Sequence, residues 1–564
     1  MLKRQWCYLL LAFVALTWSR PSAAQPGFAT AARDSFLSAS AAFDGRSVQI
    51  PMRDGKALAA DVYLPKTSGK FPVVLVQTPY NKSLMRPGFE GKGRYGTRSL
   101  FTDTSYAFVV TDWRGKFASK SAQTTGIQPN LSEDGFDTIA WIARQEWSNG
   151  KVATWGPSAL GRAQYETARS NPPNLVCAVP LVMALNLDYD VYFPGGAMWE
   201  EFPAMLGRIG FGTNIFDLLA SRAVKNDFWQ KVAPLNYVKP EDLRVPMLFI
   251  GGWYDIYTDQ VIAAFQAAHS SGGEKARSHS RLIMGPWVHM TDQVKNGQLE
   301  YPNAQHYGMK KAMAFIDSWM KGAPNDFDKT QPRISYYQMG ENEWRSTDVW
   351  PPKASRDRHY HLQADRSLSA KVPQADSRAA TFSYDPANPA PTLGGHVLDS
   401  SLAPGPADQR DKVEGRSDVL VFSTPVLDKD LAVAGKVKLK LFVSSDRKDT
   451  DFTAILTDVY PDGRSMLVTE GIRRMRFRNT TSKEDLMTPG AIYPITIELT
   501  NTALTFLKGH RARIIISSSN HPRFAVNLND GGPMYTKGKG LVAFNTVYTG
   551  KKHPSALVLP IIDK

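Results

Sequence analysis

The stretch Lys151 to Ala168, KVATWGPSALGRAQYETA, restricts the fold more than any other part of the chain. An apolar run ending at Trp155 has the character of a buried strand, Gly156 permits a sharp reversal, and Ala159, Leu160, Ala163 and Ala168 follow at helical spacings. The outcome is a strand, a tight turn and a helix, with Ser158 on the turn. A serine so placed projects its hydroxyl clear of a sheet, while the helix start presents backbone N–H groups to developing negative charge. Taken alone, Gly156-x-Ser158-x-x-Gly161 is a weak pattern, because small residues also build ordinary strand-to-helix turns that only let backbones pack.

Other segments supply a context for that turn. The apolar runs FPVVLVQTPYN, SYAFVVTD, LVCAVPLVM, VPMLFIGGWYD and RLIMGPWVHM alternate with helix-like stretches, which predicts a mainly parallel, doubly wound α/β sheet. Ahead of them, RSVQIPMRDGKALAADVYLP reads as a hairpin around Asp54-Gly55. Phe136, Ile139, Ala140 and Ala143 have helical spacing, with Asp134 as the expected N-cap. Residues 186–245 are aromatic, glycine-containing and helix-like between two strands of the sheet, and predict a helical cap over its edge. Beyond about Pro332 the helical pattern gives way to alternation, as where Val437, Leu439, Leu441 and Val443 interleave with Lys436, Lys438 and Lys440. That pattern predicts a β sandwich or jelly roll. The expected organisation is a signal peptide over 1–24, an α/β domain over 45–185 and 246–330, the cap over 186–245, and a β-rich jelly-roll domain over 331–564.

At 564 residues the chain exceeds one core, and 43% hydrophobic with 21% charged residues is ordinary for a globular protein. Lys3 and Arg4 precede the apolar run CYLLLAFVALTW, and Ser22-Ala23-Ala24 offers small residues for cleavage, so a secretory signal peptide is expected, with mature protein from near Gln25. This predicts a periplasmic or secreted protein with no membrane insertion after signal removal. Cys7 would leave with the signal, and Cys177, in an apolar strand-like run, reads as a buried small hydrophobe with no disulfide partner. The net charge of +14 falls to about +11 without Lys3, Arg4 and Arg20, and the cations are scattered rather than clustered, so no nucleic-acid partner is expected.

Serine is a weak nucleophile near neutral pH and needs a base within hydrogen-bond reach, which in turn needs a carboxylate to orient it. Ser158, Asp255 and His289 occur in the chain order nucleophile, acid, histidine, each just beyond a predicted strand, so all three would share one sheet edge. Singly, Asp255 also fits a helix cap and His289 a core histidine. His306 is the nearest competitor as base, but no strand end precedes it. The Ala159 N–H is the natural first oxyanion donor, and Tyr80, at the end of an earlier strand, offers its hydroxyl as the second, although an aromatic plug in a turn fits Tyr80 as well. Metal binding has little support, since DRKDTD lacks a histidine or cysteine partner and reads as a loop.

TPYNK, the DWRGKFAS loop, EDGFDTIAWIARQEWSNGKVATWGPSALG, GGWYD, GPWVH, DTDFTAILTDVYPDGRS and SSSNHPRF together resemble the CocE/NonD family of serine hydrolases, over about Val48 to Val558. That family takes in cocaine esterase, α-amino acid ester hydrolases, glutaryl cephalosporin acylases and Xaa-Pro dipeptidyl-peptidases. The resemblance implies an α/β-hydrolase fold with a helical cap insertion and a C-terminal jelly roll. On matching positions it implies Ser158 as nucleophile, His289 as base, Asp255 as its orienter, and Tyr80 with the Ala159 N–H as oxyanion hole. Relatives commonly place tyrosine where this chain has Ala159, which implies a changed pocket rather than lost chemistry. Carboxylates follow the catalytic Asp in the α-amino acid ester hydrolases, whereas Ile256, Tyr257 and Thr258 follow it here, which argues against that specificity. Asp188 and Asp190 in the cap are either a negative subsite or solvated charges. Trp253, Tyr257 and Trp287 are the expected aromatic pocket wall.

The expected activity is therefore cleavage of a small-molecule ester or amide through an acyl-enzyme, with no metal or organic cofactor. An Xaa-Pro dipeptidyl-peptidase-like amidase and a non-catalytic binding protein on a hydrolase scaffold are the alternatives. The sequence leaves open whether the chain forms a homo-oligomer.

Overall fold

A computed structural model of the chain describes residues 42–85, 103–124, 130–208, 214–232, 237–289, 292–322, 327–375 and 378–563. The expected signal peptide lies outside them. The N-terminal strands are β1 (Phe43–Pro51), β2 (Ala57–Pro65), β3 (Phe71–Thr78), β4 (Ala107–Asp112), β5 (Ser148–Pro157) and β6 (Leu175–Leu181). They are followed by β7 (Leu248–Gly252), β8 (Arg281–Gly285), a two-residue hairpin pair β9 (Lys295–Asn296) and β10 (Leu299–Glu300), then β11 (Ile334–Gln338) and β12 (Glu343–Thr347). Ten of these form one sheet in the order β1-β2-β4-β3-β5-β6-β7-β8-β11-β12. From β4 through β11 in that order every pairing is parallel, with antiparallel strands at both edges.

The central strands are largely apolar because helices cover both faces. Those helices include α1 (Leu131–Ala143) and α2 (Ala159–Arg169). The Asp54-Gly55 hairpin forms as expected, with Pro51 opposite Ala57. The helix containing Phe136 begins earlier than expected: Asn130 is its N-cap, accepting from the Glu133 N–H at 3.2 Å. Asp134 is instead a buried ion-pair partner of Arg114, at 2.6 Å. The signal was present in the sequence, since Asn130-x-x-Glu133 is a capping pattern.

Between β6 and β7 lie the short cap helices α3 (Tyr189–Tyr192), α4 (Glu201–Arg208) and α5 (Ile215–Ala220). After β7 and β8 come α6 (Thr258–Ser271), α7 (Glu274–His279) and α8 (Tyr307–Lys321). Among the described residues no helix is long and apolar enough to cross a membrane.

The first sheet runs past the expected boundary at residue 331. β11 pairs in parallel with β8, and β12 closes the edge, so the first sheet continues to Thr347. Strand periodicity carries no information about which sheet a strand joins, so this crossing is not visible in the sequence.

The remaining strands form two layers. One has seven strands: β13 (Ser355–Leu362), β14 (Leu368–Ser369), β15 (Ala379–Tyr384), β17 (Leu431–Ser445), β20 (Tyr493–Phe506), β22 (Ala543–Tyr548) and β23 (Ala556–Ile562). The other has four: β16 (Leu420–Ser423), β18 (Asp451–Val459), β19 (Ser465–Arg474) and β21 (Arg511–Ser517). This is the jelly-roll domain, in which every strand pairing is antiparallel.

That domain reaches across to the cap. Met198 accepts from the Ala525 N–H and the Glu200 N–H donates to the Arg523 carbonyl, both at 2.9 Å. Glu201, at the start of α4, accepts from Leu398 N at 2.7 Å, Asp399 N at 3.2 Å and Trp199 Nε1 at 3.0 Å. The DTD segment expected as a loop supplies two buried carboxylates: Asp449 pairs with Arg476 at 2.7 Å and Asp451 with Arg474 at 2.8 Å. Arg474 also lies over the Tyr535 ring, whose hydroxyl accepts from Met198 N at 3.0 Å. The buried ion pairs thus stiffen the surface on which the cap rests.

Candidate active site

Ser158 follows β5 in a backbone conformation that non-glycine residues rarely adopt, φ 56° and ψ −125°. The turn can close there because Gly156 has φ 146° and because a Cβ on Gly156 would come 2.5 Å from the Cβ of Leu160. The Ser158 N–H donates to the Leu181 carbonyl of β6 at 3.0 Å, and the side chain makes no capping bond to α2, so the hydroxyl is not spent on the helix. Sequence reasoning missed the brace beneath the turn. The buried amide of Gln164 on α2 donates to the Gly156 carbonyl at 2.9 Å and the Val179 carbonyl at 3.1 Å, and accepts from Val179 N at 2.9 Å. The helix start and the ends of β5 and β6 are held as one unit.

Asp255 lies just past β7 and His289 just past β8, at the same carboxyl edge of the parallel sheet. His289 Nδ1 and Asp255 Oδ2 are 2.6 Å apart. Asp255 is completely shielded from solvent, and its Oδ1 accepts from the Tyr257 N–H at 2.8 Å. The two turns are in direct contact: a Cβ on Gly252 would sit 2.2 Å from the Trp287 carbonyl, so glycine is required for this approach. His306, the competitor, is the N-cap of α8, and its N–H points to the Asp292 carbonyl.

Tyr80 follows β3, the strand beside β5 on the side away from β6. Its N–H donates to Thr78 Oγ1 at 3.0 Å. The loop it begins is tied down by Asp112, which accepts from Lys82 N at 2.7 Å and Ala118 N at 3.1 Å, while the Lys82 ammonium pairs with Asp61 in a buried contact. Burial pushes Asp112 up to about 6 against those hydrogen bonds. Ala159 is the first residue of α2, so its N–H faces the same edge as Ser158.

Of the three expected wall residues, Tyr257 is at the site, with its ring centroid 6.0 Å from that of His289. Burial raises its phenol well above the usual range, and Tyr192 of the cap, Asp255 and Tyr80 add to the shift. The expectation for Trp253 and Trp287 is corrected. Both are fully buried: Trp253 packs on Trp350 and donates from Nε1 to the Tyr337 carbonyl at 2.8 Å, and Trp287 packs on Trp344 at 5.8 Å. They pack the turns after β7 and β8 against β11, β12 and the segment that follows, and do not line a pocket. Asp190 of the cap is paired with Lys225 at 3.1 Å, and burial together with Asp190 raises Asp188.

A doubly wound sheet of this strand order, with a serine on a strained strand-to-helix turn and a hydrogen-bonded aspartate–histidine pair at the same carboxyl edge, is the architecture of the α/β-hydrolase fold. The profile described as X-Pro dipeptidyl-peptidase (S15 family) matches residues 54–209 and 203–291, and that of the X-Pro dipeptidyl-peptidase C-terminal non-catalytic domain matches 325–558. The cocaine esterase of Rhodococcus sp. is 32% identical over 92% of this chain and 98% of its own. The chain belongs to the CocE/NonD family of serine hydrolases. A solved α-amino acid ester hydrolase superposes with a TM-score of 0.79 at 25% identity, covering 96% of this chain and 98% of that one. An aminopeptidase from a marine sediment Thaumarchaeota archaeon shares the fold with a TM-score of 0.79 at 24% identity, over 97% and 99% of the two chains.

Proposed function

We propose that the protein hydrolyses a small carboxylic ester or acyl amide through an acyl-enzyme on Ser158. The observation that carries this reading is the 2.6 Å contact between His289 Nδ1 and the buried Asp255 carboxylate. A carboxylate can only accept, so it fixes the ring proton on Nδ1 and leaves Nε2 to take a proton from serine. Ser158 Oγ attacks the substrate carbonyl as its proton passes to His289. The resulting oxyanion is met by the Ala159 N–H and the Tyr80 hydroxyl. Collapse breaks the bond to the leaving alcohol or amine, which takes the proton from His289. Water then repeats the sequence, giving up a proton to His289 and freeing the acid and Ser158.

Ester cleavage is the favoured form of this reading, supported by the likeness to an esterase along nearly the whole chain. Asp190 is neutralised by Lys225 and Glu201 is occupied by backbone N–H groups, which disfavours these two cap carboxylates as a docking point for a substrate ammonium. Tyr257, whose ring lies beside that of His289, would then contact the acyl or leaving group. Export to the periplasm or medium by way of the Met1 to Ala24 segment belongs to the same proposal, and a secreted product beginning near Gln25 is its test.

The deciding experiment compares wild type with Ser158→Ala on p-nitrophenyl butyrate and on an Ala-Pro anilide, alongside a fluorophosphonate probe. Ester turnover and labelling that both vanish in the variant support the reading. Undiminished activity in Ser158→Ala, or labelling at another serine, sinks it, and turnover of the anilide alone replaces the esterase by a dipeptidyl-peptidase.

A further inference from the structure

The turn that carries Asp255 is not built by the first sheet alone. The peptide joining Trp253 to Tyr254 is gripped from both sides. Its N–H, on Tyr254, donates to the Trp287 carbonyl at 2.9 Å, and its carbonyl, on Trp253, accepts from His396 Nε2, also at 2.9 Å. Trp253 is two residues before Asp255 and Trp287 two before His289, so one peptide joins the aspartate turn to the histidine turn. His396 reaches it from the jelly-roll side of the molecule, across 143 residues of sequence.

His396 is held as firmly as the peptide it holds. A carbonyl oxygen has no proton to give, so the hydrogen bond to Trp253 fixes a proton on Nε2. The His396 backbone N–H donates to Glu470 Oε1 at 3.0 Å, and Nδ1 lies 3.5 Å from the same oxygen. Glu470, on β19, accepts from Asn520 Nδ2 at 2.6 Å and lies 3.3 Å from Arg523 Nε. Burial by itself would raise the Glu470 carboxyl, but Arg523 and His396 hold it down at about 2. Imidazole, carboxylate and Trp253 are all shielded from solvent, so no water is at hand to replace a lost donor.

We propose that His396 is a positioning residue for hydrolysis: by holding the Trp253–Tyr254 peptide it sets where the Asp255 carboxylate meets His289. The proposal rests on the Ser158, His289 and Asp255 assignment above. It gives the domain whose profile is described as non-catalytic a direct hold on the acid turn. Without the Nε2 donor the Trp253 carbonyl is left unpaired in a dry site and the peptide can rotate to find a partner. A displacement of Asp255 by a fraction of an ångström misaligns the base, and outer-shell contacts of this kind govern rates at sites built on hydrogen-bond geometry.

Three substitutions in the full chain separate positioning from mere adhesion between domains. His396→Leu removes the donor. His396→Asn keeps a polar group beside Glu470 but falls short of the Trp253 carbonyl, whereas His396→Gln reaches about as far as Nε2. With rates on p-nitrophenyl butyrate normalised to sites titrated by the fluorophosphonate, His396→Leu and His396→Asn should lose about 10- to 100-fold in kcat with KM nearly constant. The acid limb of the kcat profile and the downfield proton resonance of the His289–Asp255 hydrogen bond should move, and His396→Gln should recover most of the rate. Wild-type kcat, pH profile and resonance per titrated site in His396→Asn, with only the melting temperature lowered, would overturn the proposal. If His396→Leu does not fold, the Asn and Gln pair decides. Residual turnover in Ser158→Ala would instead overturn the triad itself, whereas an inert Ser158→Ala beside a fully active His396→Asn refutes the role of His396 alone.

Discussion

His289 Nδ1 lies 2.6 Å from Asp255 Oδ2, and the second oxygen of the same carboxylate is taken by the Tyr257 N–H at 2.8 Å. Both lone-pair faces of a solvent-shielded aspartate are thereby committed, one to the imidazole and one to its own turn. The arrangement makes the orientation of the ring a property of the β7 turn.

Asp255→Asn should therefore keep the fold and lose the tautomer. An amide group presented to Nδ1 favours the proton on Nε2, where it blocks proton uptake from serine, and kcat should fall about 10⁴-fold with little change in KM. Steady-state kinetics on p-nitrophenyl butyrate check this. A loss below about tenfold would remove Asp255 from the proposed role.

Tyr80→Phe removes one oxyanion donor and leaves the Ala159 N–H. The loop should hold its place, because Asp112 and the buried Lys82–Asp61 pair anchor it through other atoms. The expected cost is about 10²- to 10³-fold in kcat. If kcat is unchanged while Ser158→Ala is inert, the second donor lies elsewhere.

Gly156→Ala strikes the turn itself. The new Cβ meets Leu160 at 2.5 Å at a backbone φ of 146°, so either α2 shifts or the turn opens. A stability loss of about 1–3 kcal/mol in urea unfolding is expected. Fluorophosphonate labelling should slow in the folded fraction, and wild-type stability with wild-type labelling would show that the turn tolerates a side chain.

The pH dependence of stability carries a signature of Glu470. Its folded value, about 2, is below the usual 4.5, so its stabilisation is complete above about 4.5 and is lost as the pH falls through 2. Glu470→Gln lacks this contribution. The gap in urea midpoint between wild type and Glu470→Gln should be widest near neutrality and narrow as the pH drops below about 4.5. A gap that stays constant down to pH 3 would contradict it.

Much of the site was legible because its parts are local. Ser158 sits on a turn whose glycines, strand and helix lie within about twenty residues, and Asp255 and His289 each end an apolar run. Tyr80 follows a strand that breaks in the same manner. What misled was what lies beyond a run of sequence. Trp253 and Trp287 flank the turns as pocket residues would, but they face Trp350 and Trp344, and no periodicity in GGWYD or GPWVH reports that direction. The strand Ile334–Gln338 looked like the start of the β-rich domain, yet it pairs with β8.

The sequence by itself determined the strand-turn-helix geometry at Ser158 and the order of the ionisable residues, because glycine placement, apolar runs and spacing act over a few residues. Only the tertiary structure decided which groups share a hydrogen bond. Asp255 and His289 are 34 residues apart and His396 and Trp253 are 143 apart, and such contacts arise when strand order and domain docking bring chain segments together. The hydrogen bond from His396 to the Trp253 carbonyl is shielded from water that could replace it, so the packing of the two domains holds an acid turn that local sequence could only name.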